Sequence, residues 1–195
     1  MPRFSENEKE RIYNKLLSEG ERLFTTYGIK KVTIDDLVEA VGIAKASFYT
    51  FYESKEYLYL DIVQSIQQKI FTELDVLLDS NSDLPGKERV LQVFVAMNKM
   101  MLQYPILTYM DAATIEWMAR KVSNERLSAF REQNFDAAQS LYNHGVRFTC
   151  DIQTVSYAFQ AIYHSWMYLQ DKGEEVQASV TNVLLQGVIG QIVME

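Results

Sequence analysis

The chain has 195 residues, 48% of them hydrophobic and 12% aromatic, with a formal net charge of −7. That length holds one large domain or a small one joined to a medium one, and the apolar content suffices for a core, which excludes a disordered chain. The acidic total excludes a protein that coats nucleic acid indiscriminately. The charge is unevenly spread: residues 1–60 hold nine Lys and Arg against ten Asp and Glu, whereas 61–195 hold ten against sixteen. A nucleic-acid surface, if present, is therefore expected in the first part. Cys150 is the only cysteine, which rules out an intramolecular disulfide and is expected as a small buried hydrophobe in a reducing cytoplasm. MPRFSENEKER has no apolar run after its charges, and no stretch approaches the ~20 apolar residues of a membrane span, so neither a secretory leader nor a membrane location is expected.

Ser5-Glu6-Asn7-Glu8 reads as a capping box, after which Ile12, Leu16, Leu23, Phe24 and Tyr27 recur at helical spacing up to Gly28. Thr33, with Asp36 three residues on, opens a second helix whose buried side is Ile34, Leu37, Val38 and Val41, and Gly42 ends it. A third, short helix is expected over Ala44 to Thr50. Ser54 caps a fourth that runs to about Leu78, before the polar break Asp79 to Gly86. Further helices are expected over Glu88–Tyr104, from Pro105 to about Val122, and as one long run from Ser123 to Tyr142. Asn143-His-Gly145 breaks that run, and two more helices follow over Asp151–Gln170 and Glu174–Val193. With three Pro and little apolar alternation, the fold class is all-α, about nine helices. A head over 1–54 and a helical body over 55–195 are expected to share the fourth helix.

Two helices joined through a Gly turn match a helix-turn-helix, whose second helix can enter the major groove. Ile43 and Phe48 can fill the small core, leaving Lys45, Ala46, Ser47 and Tyr49 to face outward. Small side chains at Ala44 and Ala46 admit close approach to base edges, while Lys45, Ser47 and Tyr49 can hydrogen-bond bases or phosphates. Thr33 and Lys55, each at a helix N-terminus, add phosphate contacts. The alternative places all the aromatic residues from Phe48 to Tyr57 in the core.

Gly28-Ile-Lys-Lys-Val-Thr-Ile, Ala40-Val-Gly-Ile-Ala-Lys-Ala-Ser-Phe-Tyr and Ser54-Lys-Glu-Tyr-Leu58, in that order and spacing, resemble the DNA-binding head of the TetR family of transcriptional regulators. The resemblance covers roughly residues 8–58. It implies a homodimer on a palindromic double-stranded operator, with a C-terminal helical body that binds a small-molecule effector and dimerises. By matching position, Thr33, Lys45, Ser47, Tyr49 and Lys55 are the DNA contacts, and Ala46 lies beside them. The chain departs from the family pattern in four places. Ala44 cannot cap the third helix. Phe51 stands where a phosphate-binding His or Tyr is usual. Tyr52 stands at a core Phe position and needs a partner for its hydroxyl. Asp35 puts a carboxylate near the DNA side.

In the body, the stripe Val155, Phe159, Ile162, Tyr163, Trp166 and Leu169, and a last helix apolar on several sides, suit burial from more than one direction. The resemblance makes these helices a dimer seam, with Phe159, Tyr163, Val180, Leu184, Gly187 and Val188 at its centre; the alternative is an intrachain core. An aromatic and Met-rich set suits an accommodating apolar pocket. Met97, Tyr109, Trp117, Phe130 and Trp166 are its expected lining, with Asp111, Glu116 and His164 as polar anchors. An acidic body with aromatic walls mildly favours a cationic or neutral aromatic ligand.

No metal cluster, phosphate loop or catalytic spacing is visible, so neither an enzyme nor a cofactor is expected. The reading is a ligand-released repressor. Its rivals are a DNA-binding regulator or architectural factor controlled by a protein partner, and an activator.

Overall fold

The computed structural model describes residues 4–109, 112–132 and 136–194. Among these it is helical throughout: α1 (Glu6–Tyr27), α2 (Ile34–Val41), α3 (Lys45–Phe48), α4 (Lys55–Ser80), α5 (Gly86–Gln103), α6 (Ala112–Met118), α7 (Asn124–Glu132), α8 (Ala137–Asn143), α9 (Ile152–Tyr168) and α10 (Glu174–Ile192). Short 3₁₀ segments occupy Pro105–Tyr109 and Gln170–Lys172. The residues divide into two compact units.

The first unit comprises residues 1–68 and 103–134. The head expected over 1–54 thus groups with the start of α4, the Pro105–Tyr109 turn, α6 and α7. The capping boxes form as the sequence spacing requires. Ser5 Oγ accepts from Glu8 N–H at 3.3 Å, and Thr33 Oγ1 accepts from Asp36 N–H at 3.2 Å. Leu16, Phe24, Leu37, Phe48, Leu58, Tyr59 and Ile106 are buried together in this core. Phe24 meets Tyr59 edge-on at 5.3 Å, and the Tyr59 hydroxyl donates to the Ile106 carbonyl at 3.2 Å. Gly20 explains the close approach of α1 to α4: a Cβ there would lie 2.8 Å from Ile62 Cδ1 and 3.3 Å from Leu58 Cδ2. Tyr27, expected on the apolar stripe, is 57% exposed in the last turn of α1.

The second unit comprises residues 69–102 and 135–195. In it α9 packs against α8 and α10. Phe159 is its centre, edge-on to Phe94 at 5.1 Å and to Phe148 at 6.3 Å. The single run expected over Ser123–Tyr142 is two helices, α7 and α8. Asp136 explains the restart: its carboxylate accepts from the N–H groups of Ala138 at 3.0 Å and Gln139 at 3.2 Å, and from Ser156 Oγ at 2.6 Å. A side chain that caps a new helix and bonds to α9 outweighs the propensity to continue the old one. After α10, the backbone pairs Phe148 with Val193 in a single antiparallel bridge, with Thr149 N–H donating to Ile192 O and Met194 N–H to Arg147 O, each at 2.9 Å. Cys150 is half-buried, not enclosed.

Candidate nucleic-acid interface

Gly42 makes the turn between α2 and α3. It adopts φ 78°, ψ 40°, the left-handed conformation that lacks a Cβ clash only in glycine, and the N–H groups of Gly42 and Ile43 both return to the Val38 carbonyl. The chain then enters α3 through Ala44, which gives no side-chain cap. One helical turn suffices to sort the side chains: Phe48 is fully buried, while Lys45, Ala46 and Tyr49 face solvent and Ser47 is half-buried. Tyr49, 54% exposed, stands edge-on to Phe48 at 5.7 Å. Three of the four residues expected to face outward are exposed, Ser47 is half-buried, and Phe48 is core.

Two of the expected contacts have other partners. The Thr33 N–H and hydroxyl both donate to Asp36 Oδ2, at 2.8 and 2.7 Å. These bonds hold the Asp36 carboxyl below the usual carboxylate range. Thr33 is thus committed to the cap, and an anion already occupies the N-terminus of α2. Lys55 is engaged more deeply. Its ammonium donates to the Ile29 carbonyl at 2.7 Å and to the Val32 carbonyl, with Lys30 O at 3.5 Å. Burial pushes the Lys55 pKa down, and the centroid of the Trp117 ring lies 6.0 Å from Nζ. Lys55 was expected at phosphates from its place at a helix N-terminus and from its matching position in the family; here the carbonyls of the α1–α2 loop accept from its ammonium. The spacing Lys55 to Val32 is long-range, so nothing local in the sequence marks this role.

The departures resolve physically. Phe51 is half-buried beside Phe4, with centroids 6.4 Å apart, and offers no donor. Tyr52 is buried and stacks on Tyr13 at 6.1 Å. Its hydroxyl makes no hydrogen bond of good geometry; burial, with Asp61 and Tyr13 nearby, pushes its pKa well up. Asp61 is engaged by the Arg126 guanidinium, which also donates to Gln64 Oε1 at 3.0 Å. Asp35 pairs with Lys45, Nζ to Oδ2, at 2.9 Å.

The expected ligand-lining residues do not fall in one unit. Tyr109, Trp117 and Phe130 belong to the first, Met97 and Trp166 to the second. The Tyr109 hydroxyl donates to the Thr25 carbonyl of α1 at 3.1 Å, and the Trp117 ring lies under the Lys55 ammonium at the start of α4. Phe130 and Trp166 are buried, and Met97 is half-buried. Trp166 stacks with Tyr163 at 6.4 Å, and the half-buried Tyr163 hydroxyl points to Met101 Sδ at 3.4 Å. Of the polar anchors, Glu116 pairs with Arg120 at 2.8 Å and His164 is exposed. Asp111 lies outside the described residues.

The expected seam divides as well. Phe159 is intrachain core, because the stripe it belongs to faces Phe94 and Phe148. Tyr163 also turns inward. On α10, Val180, Leu184 and Gly187 are exposed, along with Val176 and Val183, while Val188 is half-buried and Leu185 and Ile189 are buried against the unit. A Cβ at Gly187 or Gly190 would meet nothing within 4 Å. Periodicity showed an apolar stripe on α9 but could not tell which apolar stripe the chain itself covers.

Residues 16–62 match the family described as bacterial regulatory proteins, tetR family. Over those residues the chain carries the DNA-binding head of that family. YhgD of Bacillus subtilis, an uncharacterized HTH-type transcriptional regulator, is 23% identical over 164 residues, 80% of this chain and 83% of that protein. The ketosteroid transcriptional regulator KstR2 of Mycobacterium tuberculosis superposes with TM-score 0.61 at 19% identity, covering 94% of this chain and 95% of its own. A Saccharomonospora viridis protein solved in complex with choline gives 0.55 at 14%, covering 94% and 98%. At these identities the two superpositions show a shared fold. No described helix is long and apolar enough to cross a membrane, and no group of three His, Cys, Asp or Glu among the described residues could hold a metal ion.

Proposed function

We propose that this TetR-type regulator is a non-enzymatic, cytoplasmic repressor, released from its operator by a small, mostly apolar or aromatic ligand. The observation that carries the reading is the sorting of α3, with Phe48 buried beneath an exposed Lys45, Ala46 and Tyr49. In this reading Lys45, Ala46, Ser47 and Tyr49 meet the major groove, Thr33 holds α2 in place for them, and Lys55 positions the α1–α2 loop. The protein acts as a homodimer through the exposed apolar side of α10. Val176, Val180, Val183 and Leu184 are exposed there, and Gly187 and Gly190, each ~1 kcal/mol less favourable in a helix than Ala, leave room for a neighbouring helix to approach closely. Two heads then require half-sites about one helical turn, ~34 Å, apart.

The ligand is assigned to the second unit of the body, with Met97 and Trp166 as proposed contacts. It can shift the protein off DNA only by binding the two states with different affinity. The choline held by the Saccharomonospora viridis protein keeps an organic cation among the candidates.

The test is a mobility-shift assay on the promoter beside its own gene, with sedimentation to count subunits. The dimer binds, and Tyr49→Ala, with an unchanged melting temperature, binds about tenfold more weakly through loss of one charge-assisted hydrogen bond. Equal binding by both proteins refutes the assignment of α3. Melting-temperature screening then finds the ligand, since a specific binder stabilises by mass action; a hit that leaves operator affinity unchanged refutes the release mechanism.

A further inference from the structure

The segment that carries the recognition helix is acidic. From Ile34 to Phe48 the sequence holds one cation, Lys45, against Asp35, Asp36 and Glu39. Asp36 is engaged by the Thr33 cap. Asp35 is not: its carboxylate reaches from the first turn of α2 to the first residue of α3 and accepts from Lys45 Nζ at 2.9 Å. Both side chains are exposed, Lys45 at 52% and Asp35 at 70%. The carboxylate raises the Lys45 pKa, so the ammonium stays charged but paired. Since Lys45 opens the recognition helix, this pair lies at the edge that would enter the groove.

We propose that Asp35 determines specificity: by holding Lys45 it withdraws the recognition helix's positive charge from the phosphates, so a duplex without the right base edges is bound weakly. The inference rests on the proposed reading that α3 enters the groove. Non-specific affinity comes from counterion release, and each Lys freed onto a phosphate steepens log K against log salt by ~0.9. An exposed pair is weak and exchanges readily, but the opposite charges stay within one Debye length, ~8 Å at physiological salt, so their sum seen by a phosphate is near zero. Base-edge contacts act at hydrogen-bond distance. In the specific complex the same carboxylate aims the ammonium at a base edge. The pair therefore suppresses the sequence-blind term and leaves the sequence-reading term.

The experiment compares full-length wild type, Asp35→Asn, Lys45→Met and the double variant by fluorescence anisotropy across a salt series. The probes are poly(dI-dC) and a duplex enriched from a randomised library by wild type. Asp35→Asn is expected to bind poly(dI-dC) about fivefold more tightly at 0.15 M salt with a slope steeper by ~0.9, and to gain less on the enriched duplex. The steepening is expected to vanish when Lys45→Met is present. Asp35→Ala, with melting temperature as a folding check, should repeat the result. An unchanged poly(dI-dC) slope, an equal gain on both probes, or steepening that persists without Lys45 each overturns the proposal. A wild-type protein that enriches no duplex and binds neither probe refutes the DNA-binding reading itself, a different result from failure of Asp35.

Discussion

Replacing Lys55 by Met distinguishes a phosphate contact from a scaffold. In the structure the Lys55 ammonium donates to the carbonyls of Ile29, at 2.7 Å, and of Val32, both residues having buried side chains. Two hydrogen bonds to a charged group contribute ~1.5–3 kcal/mol each in mutational series. Desolvation opposes them, as the lowered Lys55 pKa shows, and the Met side chain retains the packing of the lysine stem. The net loss is therefore on the order of 1–2 kcal/mol, which for a chain of this size lowers the melting temperature by about 2–8 °C. Thermal denaturation followed by circular dichroism measures it. Operator affinity falls as well, because the loop between α1 and α2 loses its tie. A melting temperature equal to or above wild type, with a salt slope reduced by about 1, refutes the scaffold role and returns Lys55 to the phosphates.

Phe48→Ala, by emptying the fully buried site beneath the recognition helix, is expected to destabilise the head by ~3–5 kcal/mol, seen in urea unfolding; a loss below about 1 kcal/mol would mean that α3 is not anchored there. Acid should erode the caps. Glu8, Asp36 and Asp151 have folded pKa values held below their ordinary ones by hydrogen bonds from Ser5, Thr33 and Thr154. Their contribution is full above the unfolded carboxylate range, about pH 4, and is lost as pH falls through the lower folded values. Melting temperature should drop over that window, and Asp36→Asn should flatten the drop; an identical pH profile in that variant counts against the cap. Val180→Glu with Leu184→Glu puts charges on the exposed side of α10 and is expected to give a monomer in sedimentation without loss of helicity; a persistent dimer moves the interface elsewhere.

Local chemistry determined the elements themselves. Ser5 and Thr33 with an acid three residues on, the left-handed Gly42, and apolar residues at helical spacing each act within one or two turns, so the boundaries of α1, α2 and α4 and the sorting of Phe48 from Tyr49 could be read directly. The TetR-type head was legible for the same reason: its pieces are short and lie in fixed order. What the tertiary structure decided depends on pairs far apart in sequence. Lys55 has Ile29 and Val32, Tyr109 has Thr25, Asp136 has Ser156, and Phe159 has Phe94. In each pair the partner is one that the residue type does not announce. An apolar stripe states only that it must leave water. Which surface covers it, its own chain or another, is set by where the other helices come to rest.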